Sequence, residues 1–210
     1  MVGASKLKSD VKFQVLVCLS KEMAAFFDKL APDWDNAPQE FATREKLTAM
    51  MDLPPNSVIA DVGCGRGVML EHLLKTNPSK VVAIDISGEM IRLAKESFSD
   101  ERIEFIHGDL YNAALPALDA VIFFNSYPHF IDKPELAKRL ADVIKKDGIF
   151  IIAHSLSKEE INGFHTGERV STLSVPLENA EAEAEKFAEH FSLSHFKDSE
   201  EMYFIKLIRR

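Results

Sequence analysis

The sequence predicts an α/β protein. The expected fold is a doubly wound, seven-stranded sheet, mostly parallel with an antiparallel last strand, helices on both faces and a helical N-terminal cap. Three observations predict it. Short apolar, β-branched runs alternate with helix-patterned stretches through the middle of the chain, which is the signature of parallel strands joined by crossover helices. Most of these runs end in a glycine or a polar residue. The tail then breaks the alternation with two strand-like runs joined by a tight polar turn, so at least one of them runs antiparallel.

In order, "SKEMAAFFDKL" places Met23, Phe26, Phe27 and Leu30 at helical spacing, and "APDWDNAP" breaks the pattern with two prolines. "EFATREKLTAMMDL" resumes a helix that "PPNS" ends. Residues 1–52 are thus expected to form the cap, and residues 53–210 the main domain of a single compact unit. "SVIADVG" reads as a buried strand, and "KVVAIDIS", "RIEFIHGDL", "LDAVIFFNS" and "IFIIAHS" read as the four strands that follow it. "GVMLEHLLKTNP", "GEMIRLAKESF" and "PELAKRLADVIKKDG" read as the helices between them, the last stopped by Gly148 after a pair of lysines. "ENAEAEAEKFAEHF" is a further helix, and "SLSHFKDSE" and "EMYFIKLIRR" are the closing strands. The long segment "HSLSKEEINGFHTGERVSTLSVPLEN" follows the fifth strand and is expected to act as a lid.

Composition narrows the function classes. A net charge of −8 over 210 residues, with no basic run beyond the terminal "IRR", disfavours nucleic acid and anionic membranes as partners. Cys18 and Cys64 match no metal-ligand spacing and are expected to be reduced thiols. "VLVCL", behind Lys6, Lys8 and Lys12, is too short for the apolar core of a signal peptide. No run nears the ~20 apolar residues of a membrane helix. A cytoplasmic protein, monomeric or homodimeric, is expected.

The stretch "ADVGCGRGVML" carries most of the functional signal. Its glycines stand where a strand hands over to a helix, so bare backbone and free N–H groups can meet a polar ligand there. The next strand ends in Asp85, at the place where an acid binds ribose hydroxyls in doubly wound folds. The third ends in Asp109 and the fourth in Asn125, again at the carboxyl ends where such sheets bind ligands. Gly63, Gly65 and Gly67 are spaced G-x-G-x-G rather than the dinucleotide G-x-G-x-x-G. Asp61 stands two residues before them, where a carboxylate suits an ammonium group and does nothing for a pyrophosphate.

"DVGCGRG", "AIDIS" with Met90, "GDL" and "DAVIFFNS" together resemble the motifs of the class I S-adenosylmethionine-dependent methyltransferases, and "FFDKLAPDWD" is similar to the segment that many small-molecule members carry upstream. The resemblance implies a Rossmann-like domain that uses S-adenosylmethionine to methylate a small molecule. By the same resemblance, Asp61, Gly63 and Gly65 line the methionine part of the cofactor and Asp85 takes the ribose hydroxyls. Ile86 and Met90 pack on the adenine, Asp109 bonds its amino group, and Leu110 lies beside it. Asn125 sits near the transferring methyl, and Trp34 helps to close the site. Arg66 receives no role. "NSYPHF" departs from the N-P-P-[YF] motif of adenine- and glutamine-methylating relatives, which again disfavours nucleic acid.

Methyl transfer from a sulfonium is an in-line displacement that needs positioning and, for a protonated nucleophile, a base. His154, at the end of the fifth strand, is the best-placed candidate, followed by His129 and His165. His107 reads as structural. No metal ligand set is expected, although convergence of His129, His154 and His165 on a metal or metalloid is a further possibility. Two other classes stay open: a non-catalytic, cofactor-sensing module, and a nicotinamide-dependent oxidoreductase.

Overall fold

A computed structural model describes residues 18–34, 41–166 and 171–210. The earliest part of the cap, including most of "VLVCL", lies outside the described residues, as do 35–40 and 167–170. Helix α1 covers residues 18–30, and α2 spans Phe41–Met51. The alternation follows as β1 (Val58–Val62), α3 (Leu70–Lys75), β2 (Lys80–Asp85), α4 (Gly88–Ser97), β3 (Ile103–His107), β4 (Leu118–Phe124), α5 (Lys133–Val143) and β5 (Ile144–His154). Helices α6 (Lys158–Phe164) and α7 (Ala180–Glu185) precede β6 (Phe191–Asp198) and β7 (Tyr203–Arg209).

The strands form one seven-stranded sheet in the order β3-β2-β1-β4-β5-β7-β6. Pairing is parallel from β3 through β5, and β7 lies antiparallel to both β5 and β6. The order reverses between β1 and β4, and that switch point brings the ends of β1, β2 and β4 to one crevice.

Strand periodicity divides the core between the two faces. Ile59, Val81, Ala83, Ile122 and Ile151 pack with Leu47 and Met51 of α2, Leu70 and Leu73 of α3, and Ile91 of α4. Ala60, Val82, Ile84, Phe123 and Ile152 pack with Leu136 and Leu140 of α5 and with Ala180 and Ala184 of α7. The helices start where the sequence supplies caps. Ser87, Asp132, Ser157 and Asn179 each accept a first-turn N–H, and Ser157 with Glu160 forms a reciprocal capping box.

Three boundaries differ from those expected. The helix before Gly148 stops at Val143, because the chain turns extended at Ile144 and pairs with Leu118 before a register shift. Gly148 serves close packing instead of capping: a Cβ there would lie 2.6 Å from Ile144 Cγ2 and 2.8 Å from the Lys145 carbonyl oxygen. Helix α3 begins only at Leu70, after a turn through the glycines. The acidic helix of the tail ends at Glu185, and Phe187 and Phe191 beyond it are fully buried. Among the described residues, no helix is long and apolar enough to cross a membrane.

Candidate cofactor and active site

The crevice at the strand ends opens into a cavity of about 290 Å³. Its floor is the glycine turn. Gly63 has φ +70°, and its N–H and that of Cys64 donate to the Ile84 carbonyl at 2.9 and 3.1 Å, which ties the turn to β2. A Cβ on Gly63 would lie 2.5 Å from Ser126 Cβ, so this glycine lets the segment after β4 press against the turn. The Ser126 hydroxyl in return donates to the Val62 carbonyl at 2.6 Å. Gly65 differs: φ is +53°, but a Cβ there would meet only Met90 Sδ at 3.9 Å. Its face toward the cavity is open, as a ligand against bare backbone requires.

Asp85 is buried at the end of β2. The Gly65 N–H donates to its Oδ2 and the Ser87 N–H to its Oδ1, both at 2.8 Å. These bonds orient the carboxylate while burial raises its pKa. Asp109 accepts from the Tyr111 N–H at 3.0 Å and from the Ser20 hydroxyl at 2.8 Å. Asn125, in the left-handed region at φ +52°, exchanges hydrogen bonds with Ser155 at 3.1 Å through both ends of its amide.

Nine of the ten residues assigned to the cofactor line this one cavity: Trp34, Gly63, Gly65, Asp85, Ile86, Met90, Asp109, Leu110 and Asn125. Asp61 does not. It is only 1% exposed and shares its strand face with Ile59, and its Oδ2 makes no hydrogen bond. Burial, with Asp85 as a second cause, pushes its pKa up to about 7. A buried carboxylate oxygen without a donor is a strong sink for a nearby cation.

The histidines separate. His129 lines the cavity from the short 3-10 turn Tyr127–His129, with its Nδ1 2.9 Å from the Leu173 carbonyl oxygen. Burial holds its pKa down at about 4. His165 caps α6, with Nδ1 2.6 Å from the Ile161 carbonyl oxygen, and its ring centroid lies 5.2 Å from that of His129. His154 is sealed behind the wall at 1% exposure. Its Nε2 makes no hydrogen bond and burial drives its pKa to about 3. The position at a strand end thus aims His154 at Tyr203 on β7, not at the cavity. Among the described residues, no group of three or more His, Cys, Asp or Glu is arranged to hold a metal ion.

Sequence reasoning expected the N-terminal cap to cover the site but did not name the α1 residues of that roof or the arginines of one wall. Leu19, Ser20, Met23 and Phe27 of α1 cover the cavity, and Arg44 and Arg66 line it. The i, i+4 pair Met23 and Phe27 was visible as an apolar helix face of the expected cap, but the sequence did not say which of its residues would face the cavity. Arg66 donates from Nη1 to the Trp34 carbonyl at 2.8 Å and so pins the end of the cap. Asp28 of α1 accepts from the Ser87 hydroxyl at 2.6 Å and the Glu89 N–H at 3.0 Å, at the start of α4.

Residues 59–148 match the family model described as a methyltransferase domain. An uncharacterized methyltransferase of Mycobacterium bovis is 30% identical over 119 residues, 56% of this chain and 59% of that protein. The malonyl-[acyl-carrier protein] O-methyltransferase of Acetivibrio thermocellus is 35% identical over 107 residues, 49% of this chain and 38% of that protein. The chain therefore spans only part of the curated relatives it matches. A solved SAM-dependent methyltransferase from Aquifex aeolicus shares the fold at a TM-score of 0.70 and 18% identity, covering 89% of this chain and 98% of that one. These matches give residues 59–148 the likeness of a methyltransferase domain, and the seven-stranded sheet is the Rossmann-like fold of solved S-adenosylmethionine-dependent methyltransferases.

Proposed function

We propose that the protein transfers a methyl group from S-adenosylmethionine to a small-molecule acceptor. The observation that carries this reading is the convergence of four strand ends on one cavity: the glycine turn, Asp85, Asp109 and Asn125. The residues present fit the cofactor. Gly65 leaves an open cradle, Asp85 is held so that its remaining lone pairs can accept from two ribose hydroxyls, and the unsatisfied Asp61 suits an ammonium behind the turn. Ile86 and Met90 offer apolar surface to the adenine, and Asp109, with Leu110 beside it, offers an acceptor. Asn125 marks the methyl end. Trp34, with α1 of the 1–52 cap, closes the site. Bound there, the cofactor supplies a methyl group already activated on a sulfonium.

The chain's own part is to align the acceptor, exclude water and receive a proton. His129 is the base in this reading, because it alone of the three histidines lines the cavity. His165 and His154 stand behind it as supports. Calorimetric titration with S-adenosylhomocysteine, with NAD as control, tests the reading. Tight binding of the first and none of the second is expected, and the opposite result overturns it.

Two further outcomes are expected. The pKa of Asp61 rises from 3.8 to about 7 on folding. Between those values the folded chain holds more protons than the unfolded one, so the ligand-free protein loses stability as pH rises through that window. Asp85 shifts in the same direction and adds to the effect. Affinity for S-adenosylhomocysteine runs the other way and falls below about pH 7, because its ammonium favours the charged carboxylate. Thermal melts across pH, with and without the compound, read both slopes. Asp28→Ala removes the acceptor that holds α1 to the start of α4, and several-fold faster amide exchange confined to residues 18–30 is expected in the variant.

A further inference from the structure

We propose that the acceptor is a phenol-type hydroxyl on a small, flat, apolar molecule, presented to Nε2 of His129. The inference rests on the methyl-transfer reading above and adds the chemistry of the nucleophile.

Tautomers set the argument. A carbonyl oxygen can only accept, so the 2.9 Å contact with Leu173 places the hydrogen of His129 on Nδ1. Nε2 is left as a lone pair, and no group among the described residues bonds to it. The contact of His165 Nδ1 with the Ile161 carbonyl fixes the same tautomer on the neighbouring ring. The imidazole that lines the cavity thus offers an acceptor and no donor, beside a second ring in the same tautomer. A carboxylate or phosphate oxygen at this place would meet a lone pair instead of a hydrogen. Among the described residues, Arg44 of α2 also lines the cavity, and two further cations are engaged elsewhere. Lys133 is turned away, with Nζ 3.0 Å from the Tyr127 carbonyl oxygen and 3.3 Å above the Tyr127 ring. Arg66 is engaged by the Trp34 carbonyl, to which its Nη1 donates at 2.8 Å.

The walls set the shape. Phe27 stands edge-on to His129 with ring centroids 5.0 Å apart, and Trp34 stands edge-on to Phe27 at 5.9 Å. Phe130 and Ile131 continue the surface. Rings so arranged receive a flat apolar body.

Acidity selects among hydroxyls. A phenol ionises near ~10, whereas water needs ~16. A ring whose conjugate acid lies at about 4 takes a proton far more readily from the first kind of oxygen than from an aliphatic alcohol of water-like acidity. An alkylammonium has no lone pair to attack with until it loses a proton. In the step itself, the phenol oxygen bonds the methyl carbon as the carbon–sulfur bond breaks, and that electron pair stays on sulfur. The O–H proton passes to Nε2 of His129 and then to water.

The test uses phenol, 4-cyanophenol, benzyl alcohol and benzoate as acceptors with S-adenosylmethionine, read by mass spectrometry. It compares the wild-type protein with His129→Gln and His129→Ala, and S-adenosylhomocysteine affinity is measured on all three. Expected is methylation of the phenols only, with a loss of at least about a hundredfold on phenol in both variants and a smaller loss on the more acidic 4-cyanophenol. Affinity for S-adenosylhomocysteine should hold. Trp34 is the single tryptophan, so its fluorescence in the S-adenosylhomocysteine-loaded protein should respond to phenol and not to benzoate. Methylation of benzoate, unchanged rates in the variants, or S-adenosylhomocysteine binding with no phenol turned over each overturns the proposal. So does activity lost to a chelator and restored by zinc, because the lone pair would then be a metal ligand. Failure of S-adenosylhomocysteine to bind the wild-type protein is a different result: it removes the methyl-transfer reading itself, and this proposal with it.

Discussion

Asp85→Ala is expected to lower affinity for S-adenosylhomocysteine about a thousandfold and to leave the protein folded. The carboxylate would accept from two ribose hydroxyls, and hydrogen bonds to a charged group contribute about 1.5–3 kcal/mol each, while each decade of affinity is about 1.4 kcal/mol. A second loss adds to the first, because the same carboxylate holds the Gly65 and Ser87 N–H groups at 2.8 Å. Without it the glycine turn is no longer shaped for the ligand. Stability is spared because the deleted group is itself a buried charge with a raised pKa. Asp85→Asn separates the two roles: its amide keeps an acceptor for Ser87 but turns a donor toward the Gly65 N–H. Calorimetry and thermal melts on both variants check this. An alanine variant that binds normally would remove Asp85 from the site.

Gly63→Ala should damage the fold instead of the ligand contacts. Its φ of +70° costs a side-chain-bearing residue about 1 kcal/mol or more, and the new Cβ would lie 2.5 Å from Ser126 Cβ. Overpacking of that kind costs about 1–3 kcal/mol. A fall in Tm of roughly 5–15 °C follows for a chain of this size. Ser126 would also be pushed off the Val62 carbonyl, and with it the turn that carries His129. Gly65→Ala is the informative partner. Its φ of +53° carries the same backbone cost of about 1 kcal/mol, but its Cβ meets only Met90 Sδ at 3.9 Å, so it should cost clearly less stability than Gly63→Ala and should obstruct the ligand. The two melts and two titrations would then change in opposite proportion. Equal effects in both variants would mean that the turn has a single role.

Much of this architecture could be read from the sequence, because the central strands β1, β2, β4 and β5 are buried and written as apolar runs, and helices such as α4 and α5 as amphipathic ones. Asp85, Asp109 and Asn125 were legible for the same reason: a polar residue closing an apolar run marks the strand end. Direction was harder. A strand turns alternate residues to opposite faces, so Asp61 goes with Ile59 to the side covered by α2–α4, and His154 goes with Ile152 to the side of α7. Proximity along the chain to the glycine turn, or to a strand end, did not carry that information. Gly148 looked like a helix stop because lysines precede it. The deciding contacts, with Ile144 and the Lys145 carbonyl, belong to the folded strand alone. The roof over the cavity depends on how α1 docks, and only tertiary packing fixes that.

The place of β7 between β5 and β6 has a consequence for synthesis. Every described residue that lines the cavity, from Leu19 to Asp132, leaves the ribosome before α5 does. β5 follows with β4 as its one partner, and its other edge stays bare until Tyr203–Arg209 has been translated. For that interval the nascent chain carries an assembled ligand crevice beside an unpaired row of backbone groups. An open edge of this kind recruits strands from other chains. Stalled or prematurely terminated translation short of β7 should therefore yield aggregates and not a smaller soluble domain.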